Sequence, residues 1–467
     1  MDSSPSNASK RNLSPPVTIP KASFRLKMAR TDKSGVETLR WAIYDPYSSH
    51  LIWEDNGEKV VKESEPKVAE NFGFQPNSPS TPGHKSHHMK LVKIQVGFGC
   101  NYSCGYCSQK AFRPAYTSTS EKELQTFLTS FEKQYDGGED GKGQGTRIDF
   151  IGGETLLYWK NVKSIATQIK AKYPNIKFSL YTNGSVVIDE LADEAIRFNL
   201  LVMLSHDGLD QKKNRGKDPF EKKESRDFLQ RLAAKLIPNN LFIVQMTLGK
   251  SNFALGENRA LLSKELGQPP HLLPLAYDIV HAFEENAKAL IPAGDEEMTL
   301  FQARVLREFR TLSWSQSLAF TNFRMDLVGL IDPLVGRTGM GEYYQRCEMD
   351  KPTSIALDLR GNVLTCQNTT AQSGHKIGEL DKFDEIRLTT GLHWSYRKNC
   401  RNCPVVAMCR GACMYTKDQE FQKTCDSMFS YYLSVLAHAL ENMVGWRLLE
   451  IQGDNIRTRG VSTIHIK

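Results

Sequence analysis

The chain has 467 residues, 40% of them hydrophobic, with 60 Lys and Arg against 53 Asp and Glu for a formal charge of +7. That length suits roughly three domains of about 150 residues each and excludes a fibrous or wholly disordered chain. The positive surplus is dispersed, with no Lys/Arg block to track a phosphate backbone, and no stretch reaches the roughly 18 apolar residues of a membrane span, so neither nucleic acid nor membrane is an expected partner.

The opening MDSSPSNASKRNLSPP is polar and lacks the apolar core of an export signal, which predicts a disordered lead over 1–22 and a cytoplasmic protein. Within 23–90, ASFRLKMAR, TLRWAIYD and HLIWEDNGEKVV predict three strands of a small N-terminal β meander, followed by a Pro/Ser/Gly linker. This meander is expected either to cap the rest of the fold or to offer an edge strand to a peptide. HKSHHM (84–89) carries three histidines that are expected to decorate a loop.

At 91 the pattern changes. The β-branched strand LVKIQVGF (91–98) runs into GCNYSCGYCSQK (99–110), which places Cys100, Cys104 and Cys107 within eight positions. Ser120 and Glu123 then form a capping box for a helix with Leu124, Phe127, Leu128 and Phe131 on one face. Next come TRIDFIGGE, a helix near 158–173, KFSLYTNG, a short helix near 188–198, LLVMLSHDG, a helix near 218–236, NLFIVQMTLG, HLLPLAYDIV and a helix near 295–312. Six strand-helix units over 91–335 predict an α/β fold, a partial (β/α)6 TIM-like barrel or open sheet, with active groups at the C-terminal strand ends. There lie the cysteine loop, Gly152, Gly153 and Glu154, then Thr182 and Asn183, then Ser205 and His206.

The remaining seven of the ten cysteines, Cys347, Cys366, Cys400, Cys403, Cys409, Cys413 and Cys425, fall in a segment expected as a separate metal-binding domain, 340–430. In a reducing compartment such clusters are metal ligands rather than disulfides. An apolar-rich helix and tail over 431–467 are expected to pack on the barrel. Three thiolates suit three corners of a [4Fe-4S] cluster and leave one iron for chemistry, whereas structural zinc takes four ligands. On the residues alone, a non-catalytic protein in which cysteines only staple small domains remains the other class.

Cys-x3-Cys-x2-Cys, with Tyr106 before the last cysteine and placed after the first strand of a βα array, resembles the radical S-adenosylmethionine (radical SAM) superfamily. The resemblance implies that the open iron chelates SAM, that Gly152, Gly153 and Glu154 meet its ammonium, that Thr182, Asn183 and Ser205 lie near ribose and carboxylate, and that Tyr106 lies near adenine. Cys347, Gly361, Cys366 and Cys400-x2-Cys403-x5-Cys409-x3-Cys413, followed by Cys425, resemble the SPASM domain of peptide-modifying members. By position, Cys400, Cys403, Cys409 and Cys425 would hold one auxiliary [4Fe-4S] cluster, and Cys347, Cys366 and Cys413 a second that lacks one ligand.

The implied reaction is reductive cleavage of SAM to a 5'-deoxyadenosyl radical, fed by an external one-electron donor of flavodoxin or ferredoxin type. The radical abstracts a hydrogen from a peptide or protein substrate, and the expected outcome is an oxidative thioether or carbon-carbon crosslink in a ribosomally made peptide. The alternatives are a sulfatase-maturing type of oxidation and a small-molecule substrate. Sulfatase-maturing relatives carry Asp directly after the second SPASM cysteine, but here Gln367 follows Cys366. Thr155 stands where Pro is usual after GGE, and His206, at a strand tip, is a candidate proton-transfer residue.

Overall fold

The computed structural model describes residues 23–48, 50–61, 76–110, 119–281, 287, 290–334 and 344–466. The lead over 1–22 lies outside them. The first three strands, β1 (Phe24–Thr31), β2 (Glu37–Asp45) and β3 (His50–Trp53), pair antiparallel as the alternating sequence predicts. A two-residue strand, β4 (Gly83–His84), leads to the barrel strands β5 (Leu91–Gly97), β6 (Arg147–Gly152), β7 (Lys177–Thr182), β8 (Leu200–Ser205), β9 (Phe242–Leu248) and β10 (Leu275–Ile279). These six are parallel neighbours in chain order, and a helix follows each, the six helices including Glu121–Gln134, Trp159–Lys172 and Gly294–Thr311. The predicted six-unit partial barrel is therefore the fold. Its apolar strand residues, such as Ile94, Ile148, Leu180 and Val202, are buried against those helices.

Beyond the barrel, β11 (Ser354–Asp358) adds in parallel to the outer side of β5, and β12 (Asn362–Leu364) and β13 (Lys376–Glu379) extend the same sheet to nine strands. β14 (Arg387–Leu388) pairs with β4. This seam carries Cys366, just after β12, to the side of β5: Gln95 Nε2 donates to the carbonyls of Gln367 and Thr369, both at 2.8 Å.

The C-terminal region differs from expectation. The long helix begins at Asp418, includes Cys425 and ends at Val444, where Gly445 takes a left-handed φ of 73°. Instead of a plain tail, the chain then forms a hairpin, β15 (Arg447–Ile456) and β16 (Val461–His465), and β15 pairs with β1 to make a five-stranded sheet. The meander, expected as a cap on the barrel or as a peptide-binding edge, instead meets the C-terminal hairpin and the cysteine-rich segment. Tyr47 donates to the carbonyl of Arg401 at 2.7 Å and stacks near Trp394, and Trp53 meets Trp446, so the sheet is seated on the cysteine-rich segment. His87 and His88 bond separately, His87 with the Gln134 carbonyl and Asp384, His88 with Asp136, as loop residues do.

Candidate active site at the strand tips

The tips of β5 and β6 are pressed together through backbone. Gly153 N donates to Gly97 O at 2.9 Å and Glu154 N to Gly99 O at 2.8 Å. A Cβ on Gly152 would stand 2.3 Å from Gly97 O, and one on Gly153 2.3 Å from Gly99 O, so both positions admit only glycine without backbone movement. The contact locks the start of the cysteine loop to the GGE turn.

Glu154 is fully buried and joins three strand tips. Its Oε1 accepts from Leu156 N at 3.0 Å and Thr182 Oγ1 at 2.6 Å, and its Oε2 accepts from Asn183 N at 2.7 Å. Burial pushes its carboxyl pKa up, while those donors pull it back. Oε2 retains acceptor capacity for one further donor such as an ammonium. Asn183 Nδ2 donates to Asn101 Oδ1 at 2.9 Å and lies 4.0 Å from Cys100 Sγ, so TNG borders the cysteine loop. Ser205, half-buried at the end of β8, pairs in register with Gln245.

His206 is buried, and both ring nitrogens are engaged. Nδ1 accepts from Gly208 N at 3.0 Å, which assigns the proton to Nε2, 3.3 Å from Asp218 Oδ1. This is the bonding of a residue that shapes the turn.

Its neighbour carries the larger electrostatic load. Asp207 Oδ2 accepts from the Tyr106 hydroxyl at 2.6 Å, and Oδ1 accepts from Arg215 Nη2 and from Thr247 N, both at 3.0 Å. Burial works most strongly against the Arg215 charge, but Asp207, Tyr106 and Cys104 together outweigh it and raise the guanidinium pKa. Sequence reasoning misses both residues. Asp207 stands inside SHDG beside the more conspicuous His206, and Arg215 is hidden in a charged stretch, DQKKNRGKD, that reads as solvated surface. Tyr106 itself packs on Val280, Ala287, Leu290 and Ile291, a small apolar patch beside the cysteine loop.

None of the ten cysteines is in a disulfide. Among the described residues no three His, Cys, Asp or Glu side chains converge on a single metal-ion position. A cube presents a separate iron to each thiolate and does not require that convergence. Burial pushes the Cys104 thiol up to about 11, with Cys107 and Cys100 adding to the effect and Arg215 opposing it. Such a thiol is a ligand only when a cation compensates its charge.

The other seven fall into two groups. Cys400, Cys403, Cys409 and Cys425 line one small apolar pocket, walled by Val405, Val406, Phe421 and Phe429. Burial pushes the Cys409 thiol up to about 12, and its neighbour Cys425 pushes the same way. Cys347, Cys366 and Cys413 act on one another instead, and burial raises Cys347 to about 12. The donor sets, four thiols around an apolar void and two sets of three, fit iron-sulfur clusters in number and chemistry.

Residues 94–252 match the model of the Radical SAM superfamily. Over 128 residues the chain is 23% identical to the radical SAM cyclopropyl synthase TigE of Paramaledivibacter caminithermalis, across 26% of this chain and 27% of that protein. Over another 128-residue alignment it is 25% identical to the S-adenosylmethionine-dependent nucleotide dehydratase of Psychrobacter lutiphocae, across 27% of this chain and 42% of that one. The matched stretch thus spans less than half of each curated relative. Among solved structures, native anSMEcpe with bound AdoMet and Cp18Cys peptide aligns with a TM-score of 0.53 at 16% identity, over 76% of this chain and 98% of that one, a likeness of fold.

Proposed function

We propose that this radical SAM superfamily enzyme is a peptide maturase that installs an oxidative thioether or carbon-carbon crosslink. The observation that carries the reading is the pair of cysteine groups beyond the barrel, one lining its own apolar cavity and one beside β5. A barrel that only cleaves SAM has no need of them, whereas an oxidation that leaves an electron on its product needs somewhere to send it.

When bound, a [4Fe-4S] cluster with SAM supplies a carbon radical able to abstract an unactivated hydrogen. Cys100, Cys104 and Cys107 would hold that cluster, and Glu154 would orient the ammonium of SAM through its free acceptor position. Thr182 and Asn183 fix Glu154, and the Gly152 and Gly153 contacts hold the two loops at one distance. Tyr106, tied to Asp207, offers an apolar face with Val280 and Ile291 against which an adenine would be shielded from water. Cys400, Cys403, Cys409 and Cys425 would hold one auxiliary cluster and Cys347, Cys366 and Cys413 the other. An external flavodoxin- or ferredoxin-type donor and a reducing, cytoplasmic setting belong to the same reading. Among the described residues no helix is long and apolar enough to cross a membrane.

Sulfatase-type oxidation is the weaker alternative. Gln367, in the position where that type carries Asp, is a neutral amide whose Oε1 accepts from Lys93 Nζ at 3.2 Å, and an amide cannot serve as the base. The nucleotide dehydratase relative keeps a small-molecule substrate as the other alternative.

The test is 5'-deoxyadenosine release, read by mass spectrometry, from anaerobically reconstituted protein with SAM, dithionite and candidate Cys- or aromatic-containing peptides. Peptide-dependent release with a product two hydrogens lighter, absent in Cys104→Ala, supports the maturase. Release stimulated by nucleotides and not by peptides moves the assignment to the small-molecule class. Zinc in place of iron at all three centres removes the enzymatic reading altogether.

A further inference from the structure

The C-terminal hairpin reaches into the cysteine cavity. The turn joining β15 and β16 places Arg457 with its side chain almost wholly buried, 1% exposed, and its backbone N–H bonded to Asn402 O at 2.9 Å. Arg457 and its neighbours Asn455 and Thr458 take left-handed φ values of 54°, 50° and 53°, an uncommon conformation for residues with side chains. Because β15 is paired with β1, the turn hangs from a five-stranded sheet rather than from a loose tail.

The guanidinium is aimed at sulfur. Nη2 donates to Cys425 Sγ at 2.9 Å and to Asp426 Oδ1 at 2.7 Å, and the plane lies 4.2 Å from the centre of the Phe429 ring. Nε is buried and has no acceptor among the described residues. Asp426 does not balance this charge alone, since its Oδ1 also takes Arg459 and the Gln422 amide. A buried guanidinium that shares its carboxylate calls for further negative charge. The nearest source is the thiolate set, of which Cys425 and Cys403 act most strongly on Arg457. Arg397, the other buried arginine here, donates instead to the carbonyls of Cys413 and Thr416.

We propose that Arg457 is a positioning residue for the Cys400, Cys403, Cys409 and Cys425 centre: its hydrogen bond to Cys425 stabilises the one-electron-reduced form and raises that centre's reduction potential. Uptake of one electron adds one negative charge without changing the ligands, and a fixed cation bonded to a ligand sulfur favours the more negative state. The electron comes from the substrate-derived radical in turnover, or from dithionite in the test, and no proton need move. The inference rests on the reading of these cysteines as cluster ligands.

The experiment is an anaerobic redox titration of the full-length reconstituted protein with dithionite, followed by EPR, with iron counted in every sample. Variants are Arg457→Gln, Arg457→Lys and, as a control, Arg459→Gln, which loses contacts to Asp426, Asp295 and Met298 Sδ but none to a cysteine sulfur. One auxiliary midpoint is expected to move to lower potential in Arg457→Gln and by less in Arg457→Lys, and to stay in place in Arg459→Gln. An unmoved midpoint in iron-replete Arg457→Gln overturns the proposal, as does an equal shift in Arg459→Gln. Should Arg457→Gln fail to hold iron, Arg457→Lys decides, with a lowered midpoint supporting the proposal and an unchanged one overturning it. Wild-type protein with zinc or no metal at these cysteines overturns the cluster reading, and the proposal with it.

Discussion

Thr182 Oγ1 and Glu154 Oε1 are 2.6 Å apart in the buried junction where β6 and β7 end, and this hydroxyl also accepts from Gly184 N. One side chain therefore fixes both the carboxylate and the TNG turn. Hydrogen bonds to buried charged acceptors contribute about 1.5–3 kcal/mol, so Thr182→Val is expected to lower stability by that order. Thr182→Ser, which keeps the hydroxyl, is expected to recover most of the loss. Chemical denaturation midpoints of the three proteins check this, and calorimetric SAM binding should weaken in the same order.

A second expectation concerns steric closure. Gly153→Ala sets a methyl 2.3 Å from Gly99 O and 2.5 Å from Phe98 O, both backbone atoms that cannot rotate away. Overpacking of this kind costs about 1–3 kcal/mol. Gly329→Ala, in the helix Thr321–Leu334 with nothing within 4 Å of the new carbon, is expected to stabilise by roughly 0.5–1 kcal/mol. Opposite shifts in melting temperature for two chemically identical substitutions would show that space, not glycine content, decides.

These junctions show what the sequence makes legible. Period-2 strands, capped helices and cysteine spacing depend on neighbours in the chain, so the barrel and the two cysteine-bearing regions are readable from it, whereas the division of the last seven cysteines into four and three is implied only by the family resemblance. The arginine at 215 and the hairpin after Val444 are not. Arg215 finds Asp207 only through the turn between them and is flanked by lysines that do face solvent. The strand RLLEIQGDNI continues an apolar helical pattern, and its β character comes from pairing with β1, more than 400 residues away. Gly445 is the one local sign that the helix stops.

The Asp207 and Arg215 pair gives a third expectation. Both side chains are buried, and removal of one partner leaves a charge without compensation, which costs about 3–5 kcal/mol. Asp207→Asn should thus destabilise strongly and also replace the charged acceptor of the Tyr106 hydroxyl with a neutral amide. Replacing both, as Asp207→Asn with Arg215→Met, is expected to be less harmful than the two single changes summed. A double-mutant cycle by denaturation measures the coupling, and additivity within about 0.5 kcal/mol would mean the pair does not act as a unit.

The last expectation is a pH dependence away from every cysteine. His438 lies buried on the long C-terminal helix among Phe309, Trp314 and Phe323, and burial lowers its pKa from 6.5 to about 4, Glu441 opposing weakly. Between these values the unfolded chain binds a proton that the folded protein refuses, so stability is complete above pH 6.5 and falls as the pH drops toward 4. At one pKa unit per 1.36 kcal/mol, the loss is about 2 kcal/mol by pH 5 and about 3 kcal/mol by pH 4. His438→Leu removes the titrating group while filling the same aromatic pocket. Its stability relative to wild type should therefore improve on acidification from pH 7 to 5 by about 2 kcal/mol, and a constant difference across that range would show that His438 takes up its proton as readily in the folded protein as in the unfolded chain.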